Sequence, residues 1–375
     1  MSPIPVKGRR VVVTEFAESP EDALEHNMMI EEQLAPDPAS LGAHEVLVEI
    51  RSAAVAWVDL LMTSGQYQHM PSPPYTPGME FSGFVRATGG AVDCARLAPG
   101  NRVLADGMKV GPRSYGDYQA AGGFATFAVV PDDALLPIPA TLSFDQAATL
   151  LQAYETAYHC LITRGRITAG ESILINGASG LTGLAAVQIA KTQGATVIAT
   201  GRSDDKLRLV AEQGADYVIN IRDSDGGLRR FRDEVKHLTG GTGVNLVYDT
   251  VGGDTSVESL RCTAFEGRFL IVGWTSTPNV ARGRGLRGAP NVNLLPTNII
   301  QMKSISVLGC PTAIATAKDP SIRETRLKEI LSWAEEEKIS PFVSHTFPLE
   351  RFNEALRARW DGEVTGGCVL HPQAS

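Results

Sequence analysis

Residues 172–191 read SILINGASGLTGLAAVQIAK, and this stretch narrows the fold more than any other. Its first five residues form a short apolar run of the kind that makes a buried strand. A glycine-rich turn follows, Gly177-Ala178-Ser179-Gly180, and then apolar residues at helical spacing up to Gly194. The pattern Ala178-x-Gly180-x-x-Gly183 therefore lies between a strand and the start of a helix, the one context in which such a motif is informative. Small residues let the backbone approach a pyrophosphate, whose charge meets the N–H groups of the helix start. Gly183 lets the helix pack close to the strand. A tight turn without a ligand is the plain alternative.

The same grammar repeats downstream. ATVIAT and DYVIN read as strands, DDKLRLVAEQG as a helix, and 223–238 as a charged helix. NLVYD, a helix near 254–264, RFLIVG and SISVLG complete about six strands with helices between most of them, which predicts a parallel doubly wound sheet. The N-terminal part differs: residues 9–15 and 44–55 read as strands, with Gly and Pro clusters at 71–78, 88–100 and 107–123. Helical spacing begins near 140, with Ser143 placed as a cap. Amphipathic helices at 321–337 and 349–359 close the chain, and both are expected to return to the N-terminal lobe.

With net charge −8 and pI about 5.5, the chain lacks the basic excess of a nucleic-acid surface. No apolar run is long enough to cross a bilayer, and no signal core follows Met1 to Arg10, so a cytoplasmic protein is expected. The cysteines at 94, 160, 262, 310 and 368 form no CxxC, which argues against a disulfide framework or structural zinc lobe.

Cofactor choice is expected at the end of the second strand of the array, where an NAD site places Asp or Glu. Here the strand ends Thr200-Gly201-Arg202-Ser203, with no acid at its tip. Arg202, Ser203 and Lys206 can receive the extra phosphate of NADP, although Asp204 and Asp205 partly offset their charge.

Taken together, GASGLTGLAAVQIAK, GADYVIN, VYDTVGG, GRFLIVG, PTNIIQMKSISVLG and the N-terminal DLLMTSGQY with PPYTPGMEFSG resemble the zinc-independent quinone oxidoreductase branch of the medium-chain dehydrogenase/reductase superfamily. The resemblance implies an α/β protein: a GroES-like catalytic lobe, about 1–140 plus 310–375, around a Rossmann cofactor domain, 141–309. It implies NADPH as cofactor and a homodimer or tetramer. It places Ser179, Gly180, Leu181 and Thr182 on the pyrophosphate, and Gly201, Arg202, Ser203 and Lys206 around the ribose phosphate. Thr156, Thr250, Val251, Gly273 and Trp274 would lie along the cofactor, with Thr156 near the nicotinamide.

The resemblance also bears on metal. Zinc-dependent relatives draw catalytic ligands from three positions that match Ala56, Met79 and Gln152 here. A methyl, a thioether and an amide do not make a zinc site, so no metal is expected. Glu80, kept beside Met79, reads as a buried structural carboxylate whose partner the sequence does not reveal.

Without a Lewis acid, a conjugated acceptor is the easier target, because enolate charge can be held by hydrogen-bond donors. The expected activity is NADPH-dependent reduction of a quinone or an α,β-unsaturated carbonyl. The family's usual Asn and first Tyr are replaced by Ala56 and Leu61, which leaves Tyr67 as the candidate catalytic donor. Trp57 is either a pocket wall or core. Two loops stand out: 106–123, a lid or a surface excursion, and 277–293, whose Arg282, Arg284 and Arg287 would suit an acidic substrate or an acyl-CoA. Enoyl-CoA reduction and an NADPH-binding protein with little turnover are the alternative readings.

Overall fold

A computed structural model describes residues 6–67, 69–276 and 293–373. The chain divides into two compact units, 1–152 with 340–375, and 153–281 with 288–339. The helix Ile322–Glu335, which the sequence reading returned to the N-terminal lobe, belongs to the second unit.

The first unit is β-rich. Strands β1 (Lys7–Val13) and β2 (Met28–Leu34) pair antiparallel. The sheet then builds from β3 (Glu45–Ala54), β4 (Phe81–Thr88), β5 (Arg102–Ala105), β6 (Phe127–Pro131) and β7 (Leu135–Pro137). Val46, Val48, Ile50, Phe81, Val85 and Phe124 are among the buried residues of its core. Ser143 caps the next helix as expected, its Oγ accepting the Gln146 N–H at 3.2 Å.

The second unit holds β8 (Ser172–Asn176), β9 (Thr196–Gly201), β10 (Tyr217–Asn220), β11 (Val244–Asp249), β12 (Thr263–Ile271) and β13 (Ser306–Gly309). All run parallel, in the order β10-β9-β8-β11-β12-β13. The chain order reverses between β8 and β11, so the C-terminal ends of those two strands flank the topological switch point, where such sheets take ligands. The last two strands, β14 (Val343–Pro348) and β15 (Gly367–His371), complete the first unit's sheet, β15 pairing with β3.

One expected helix is shorter than its charge pattern suggested. Helix appears only at Arg232–Leu238, and 221–231 is a turn. Asp223 accepts from the N–H groups of Asp225 and Gly227, and Gly226 adopts a φ of +84°, which closes a local loop in place of a helical turn.

Candidate active site

The glycine turn after β8 is shaped by backbone contact. Gly177 has a φ of +66°, and a Cβ there would stand 2.5 Å from the Thr250 Oγ1. A Cβ on Gly183 would meet the Gly177 carbonyl oxygen at 2.3 Å and the Ala178 Cα at 2.7 Å. Real side chains never come that close, so helix Leu181–Thr192 can sit against the strand only with glycine at 183. Gly180 is the N-cap, and no side chain caps this helix. Ser179, Gly180, Leu181 and Thr182 are all half-exposed along the turn. A turn with no side-chain cap, opening a long helix at the switch point, is suited to a diphosphate.

Behind the turn lies a buried network the sequence reading missed. Asn176 Nδ2 donates to Asp249 Oδ1 at 3.2 Å and to Ser259 Oγ at 2.8 Å. Thr200 Oγ1 donates to Asn176 Oδ1 at 2.9 Å, and Ser256 hydrogen-bonds the other Asp249 oxygen. The Thr250 hydroxyl donates to the Asn176 carbonyl at 2.9 Å, so in this structure it supports the turn. Asp249 Oδ1 also receives the N–H groups of Val251 and Gly252. The signal was available: SILIN, VIAT and LVYD are apolar strands that each carry a polar residue at the C-terminal end.

The tip of β9 carries Gly201, buried, and Arg202, exposed. Arg202 Nη2 donates to the Gly226 carbonyl at 2.6 Å, so the 221–231 turn holds the guanidinium at the strand end. The neighbouring acids are engaged elsewhere: Asp204 accepts from Asn220 Nδ2 at 2.8 Å, and Asp205 pairs with Arg208. Ser203 is the N-cap of helix Asp204–Glu212, but its hydroxyl makes no capping bond. Lys206 is half-exposed on the first turn of that helix. Gly273 and the 46% exposed Trp274 follow β12, and the Gly273 N–H donates to the Asp249 carbonyl at 3.2 Å. Thr156 is half-exposed on helix Leu151–Tyr158.

In the first unit, the stretch around Met79 is closed on itself. Asp59 is buried; its Oδ2 takes the Ala56 N–H at 2.8 Å and its Oδ1 takes the Gly78 N–H at 3.2 Å. Burial pushes its carboxyl up to about 7, against the pull of those two N–H groups and of Arg359 and Arg113. Glu80 Oε1 accepts the Gln152 backbone N–H, which supplies a partner the sequence did not reveal. Thus of the three positions that hold zinc ligands in metal-dependent relatives, Ala56 and Gln152 give backbone N–H groups to carboxylates, and Met79 is buried side-chain core. Among the described residues, no three of His, Cys, Asp and Glu gather where they could hold a metal ion.

Trp57 stacks on Trp360, with ring centroids 5.3 Å apart and planes at 8°, and both pack against the core. Tyr67 is half-buried just beyond the helix Trp57–Thr63. The 106–123 loop is not a free excursion. Thr76 N–H bonds to the Ala120 carbonyl, Gly123 N–H to the Gly78 carbonyl and Phe124 N–H to the Pro77 carbonyl. His69 stacks on Tyr115 at 3.9 Å and hydrogen-bonds the Ser114 carbonyl at 2.8 Å. The loop therefore packs onto His69 and the 76–78 segment. Arg282, Arg284 and Arg287 lie outside the described residues.

This combination of a GroES-like lobe and a parallel dinucleotide-binding sheet defines a medium-chain dehydrogenase/reductase. The alcohol dehydrogenase GroES-like domain model matches residues 42–140, and the zinc-binding dehydrogenase model matches 182–319. The quinone oxidoreductase-like protein 2 of Mus musculus is 33% identical over 90% of this chain and 87% of its own length. The quinone oxidoreductase of Rattus norvegicus is 28% identical over 86% of each chain. The crystal structure of the Escherichia coli quinone oxidoreductase complexed with NADPH superposes with a TM-score of 0.75 at 26% identity, over 97% of this chain and all of that one. The chain belongs to the quinone oxidoreductase family of that superfamily. Among the described residues, no helix is long and apolar enough to cross a membrane.

Proposed function

We propose that this protein is an NADPH-dependent, metal-independent oxidoreductase that reduces a quinone or the activated double bond of an α,β-unsaturated carbonyl compound. The observation that carries the reading is the glycine turn at the switch point. Its Gly177–Gly183 contact leaves no room for a Cβ, and no side chain caps the helix that follows. NADPH is chosen over NADH because Arg202 stands at the β9 tip while Asp204 and Asp205 are bonded elsewhere. The bound NADPH of the E. coli relative agrees with this choice.

Bound there, NADPH would supply the hydride, to the β-carbon of an enone or to a quinone, and solvent water would supply the proton that completes the reduction. The chain's own residues do the rest. Ser179 to Thr182 present the turn to the pyrophosphate, and Arg202, Ser203 and Lys206 take the ribose phosphate. Thr156, Thr250, Val251, Gly273 and Trp274 lie along the cofactor, with Thr156 near the nicotinamide. Tyr67 donates a hydrogen bond to the acceptor oxygen as its charge grows. Asp59 and Glu80 hold backbone and take no part in proton transfer.

The test is nicotinamide absorbance decay against a panel of quinones, enones, enoyl thioesters and simple ketones. Turnover of quinones or enones, with simple ketones inert, is the expected result. Ketone reduction alone, or no turnover of any acceptor, contradicts the proposal. Tyr67→Phe should lower kcat with little change in cofactor affinity.

A further inference from the structure

An excess of positive charge is buried inside the second unit, apart from the residues assigned to the cofactor. Three elements bring it together: helix Leu151–Tyr158 with the wide turn His159–Arg164, helix Thr312–Lys318, and helix Ile322–Glu335. Glu155 is committed to Arg323, which grips it with Nε to Oε2 at 2.8 Å and Nη2 to Oε1 at 2.6 Å. Arg326 comes no nearer that carboxylate than 3.7 Å, outside hydrogen-bond range. Arg326 is 1% exposed; its Nη2 donates to the Thr316 hydroxyl at 3.2 Å. Its Nε and Nη1 are buried and have no hydrogen-bond partner among the described residues.

His159 is 3% exposed, and neither ring nitrogen has a partner among the described residues. Burial first, and then the charges of Arg326 and Arg164, push it down to about 4. The ring is therefore neutral near neutrality, with one N–H to give. The Thr312 hydroxyl is also buried without a partner, and it lies one helical turn before Thr316, on the same face.

Among the described residues, the carboxylate within 4 Å of Arg326 is that of Glu155, both of whose oxygens are taken by Arg323, in an interior where charges are normally paired. The unanswered groups are nearly all donors, so whatever satisfies them is an acceptor. Residues 1–5, 68, 277–292 and 374–375, which lie outside the described part, contain no Asp or Glu, so no side-chain carboxylate there can complete the pair. A competing internal anion is Cys310, whose thiol is drawn down by its hydrogen bond with Cys160, against burial, and by Arg164. Yet Cys310 Sγ contacts the Leu308 carbonyl at 3.5 Å, as a donor would; Cys160, the member of the pair that acts on Arg326, has its thiol pushed well up by burial and so stays neutral.

We propose that Arg326, His159 and Thr312 hold one small inorganic anion of halide size, bound by the Arg326 Nε and Nη1 groups, the imidazole N–H and the threonine hydroxyl. The anion ties the Thr312–Lys318 and Ile322–Glu335 helices to the helix that carries Thr156. It is a structural ligand, and its presence does not depend on the acceptor or cofactor assigned above.

Crystals of the full-length protein grown with bromide in place of chloride test this directly by anomalous scattering. One ordered bromide between the Arg326 guanidinium and the His159 ring is expected; a water, or no density, there overturns the proposal. In solution, chloride or bromide should raise the thermal midpoint by about 1–3 °C over the same ionic strength of gluconate. Arg326→Gln should abolish that increment, and His159→Leu, the milder change, carries the same test if the first variant does not fold. An increment that is absent in the wild type, survives both substitutions, or disappears in Cys310→Ser contradicts an anion held by these groups.

Discussion

The turn at Gly177–Gly183 and the stretch at Gly78–Glu80 are built alike and do opposite things. Each has a glycine of positive φ pressed against a neighbour: a Cβ at Gly177 would meet the Thr250 Oγ1 at 2.5 Å, and one at Gly78 would meet the Phe124 ring at the same distance. In the second unit, the helix start is left without a side-chain cap. In the first, the backbone N–H groups are already taken, Gly78 by Asp59 and Gln152 by Glu80. One backbone has no side-chain partner at its helix start; the other is satisfied by the protein's own carboxylates. At two of the positions that match zinc ligands in metal-dependent relatives, Ala56 and Gln152, the backbone N–H groups are held by the carboxylates of Asp59 and Glu80.

The comparison breaks most readily at Gly183. Gly183→Leu should destabilise the second unit by about 3 kcal/mol or more, because backbone, and not a flexible side chain, stands in the way. Gly180→Ala, whose Cβ would lie 3.4 Å from the Gly177 carbonyl, should keep the fold. Thermal midpoints of the two variants check this contrast.

On the other side, Asp59→Ala strands one buried and one part-buried N–H group and should cost about 2–4 kcal/mol in denaturant titration. Asp59 also fixes a pH effect. Its carboxyl is raised from 3.8 to about 7 in the fold, so its neutral form is the one folding favours. Its contribution is fully present below the unfolded value and is lost as pH rises through about 7. Asp59→Asn should flatten that stretch of the stability profile; an unchanged profile would count against the assignment.

Arg202→Ala sharpens the cofactor side. Removing one charge-assisted contact should weaken NADPH binding by roughly 10-fold or more and leave NADH nearly unchanged, as read by fluorescence titration. Equal losses for both would put the phosphate elsewhere.

The smallest effect is expected at the first unit's last strand, where His371 Nε2 lies 2.8 Å from Asp145 Oδ1. The hydrogen bond to Asp145 raises His371; burial is the largest single influence on Asp145 and raises it, but hydrogen bonding and the His371 charge together bring it below its ordinary value. The pair stabilises the fold only between Asp145's lowered value and His371's raised one. Both groups are partly exposed, so His371→Gln should cost less than about 1 kcal/mol on the acid side of neutrality and nothing in alkali.

These two regions also show what the sequence could and could not reveal. The glycine turn was legible because its function is carried by backbone: small residues at fixed spacing after a strand state their own reason. Ser143 was legible for the same local reason. Asp59 and Glu80 were visible as carboxylates, but their partners are main-chain groups at Gly78 and Gln152, which no side-chain pattern announces. Arg202 was found, whereas its anchor at Gly226 was hidden because 223–238 carries helix-like charge until Gly226 and Gly227 are weighed. Asn176, Thr200 and Asp249 left a trace as polar ends of apolar strands, but only the strand order shows that they meet. The 106–123 loop gave composition alone; its pairing with 76–78 depends on contacts that sequence spacing does not encode.

Hydride chemistry from NADPH without a metal is tested most directly by the rate of NADPH oxidation with a quinone or enone acceptor after exhaustive dialysis against a chelator, with metal content measured on the same sample. Full activity in metal-free protein is the expected result. Activity that is lost on chelation and restored by zinc would contradict it.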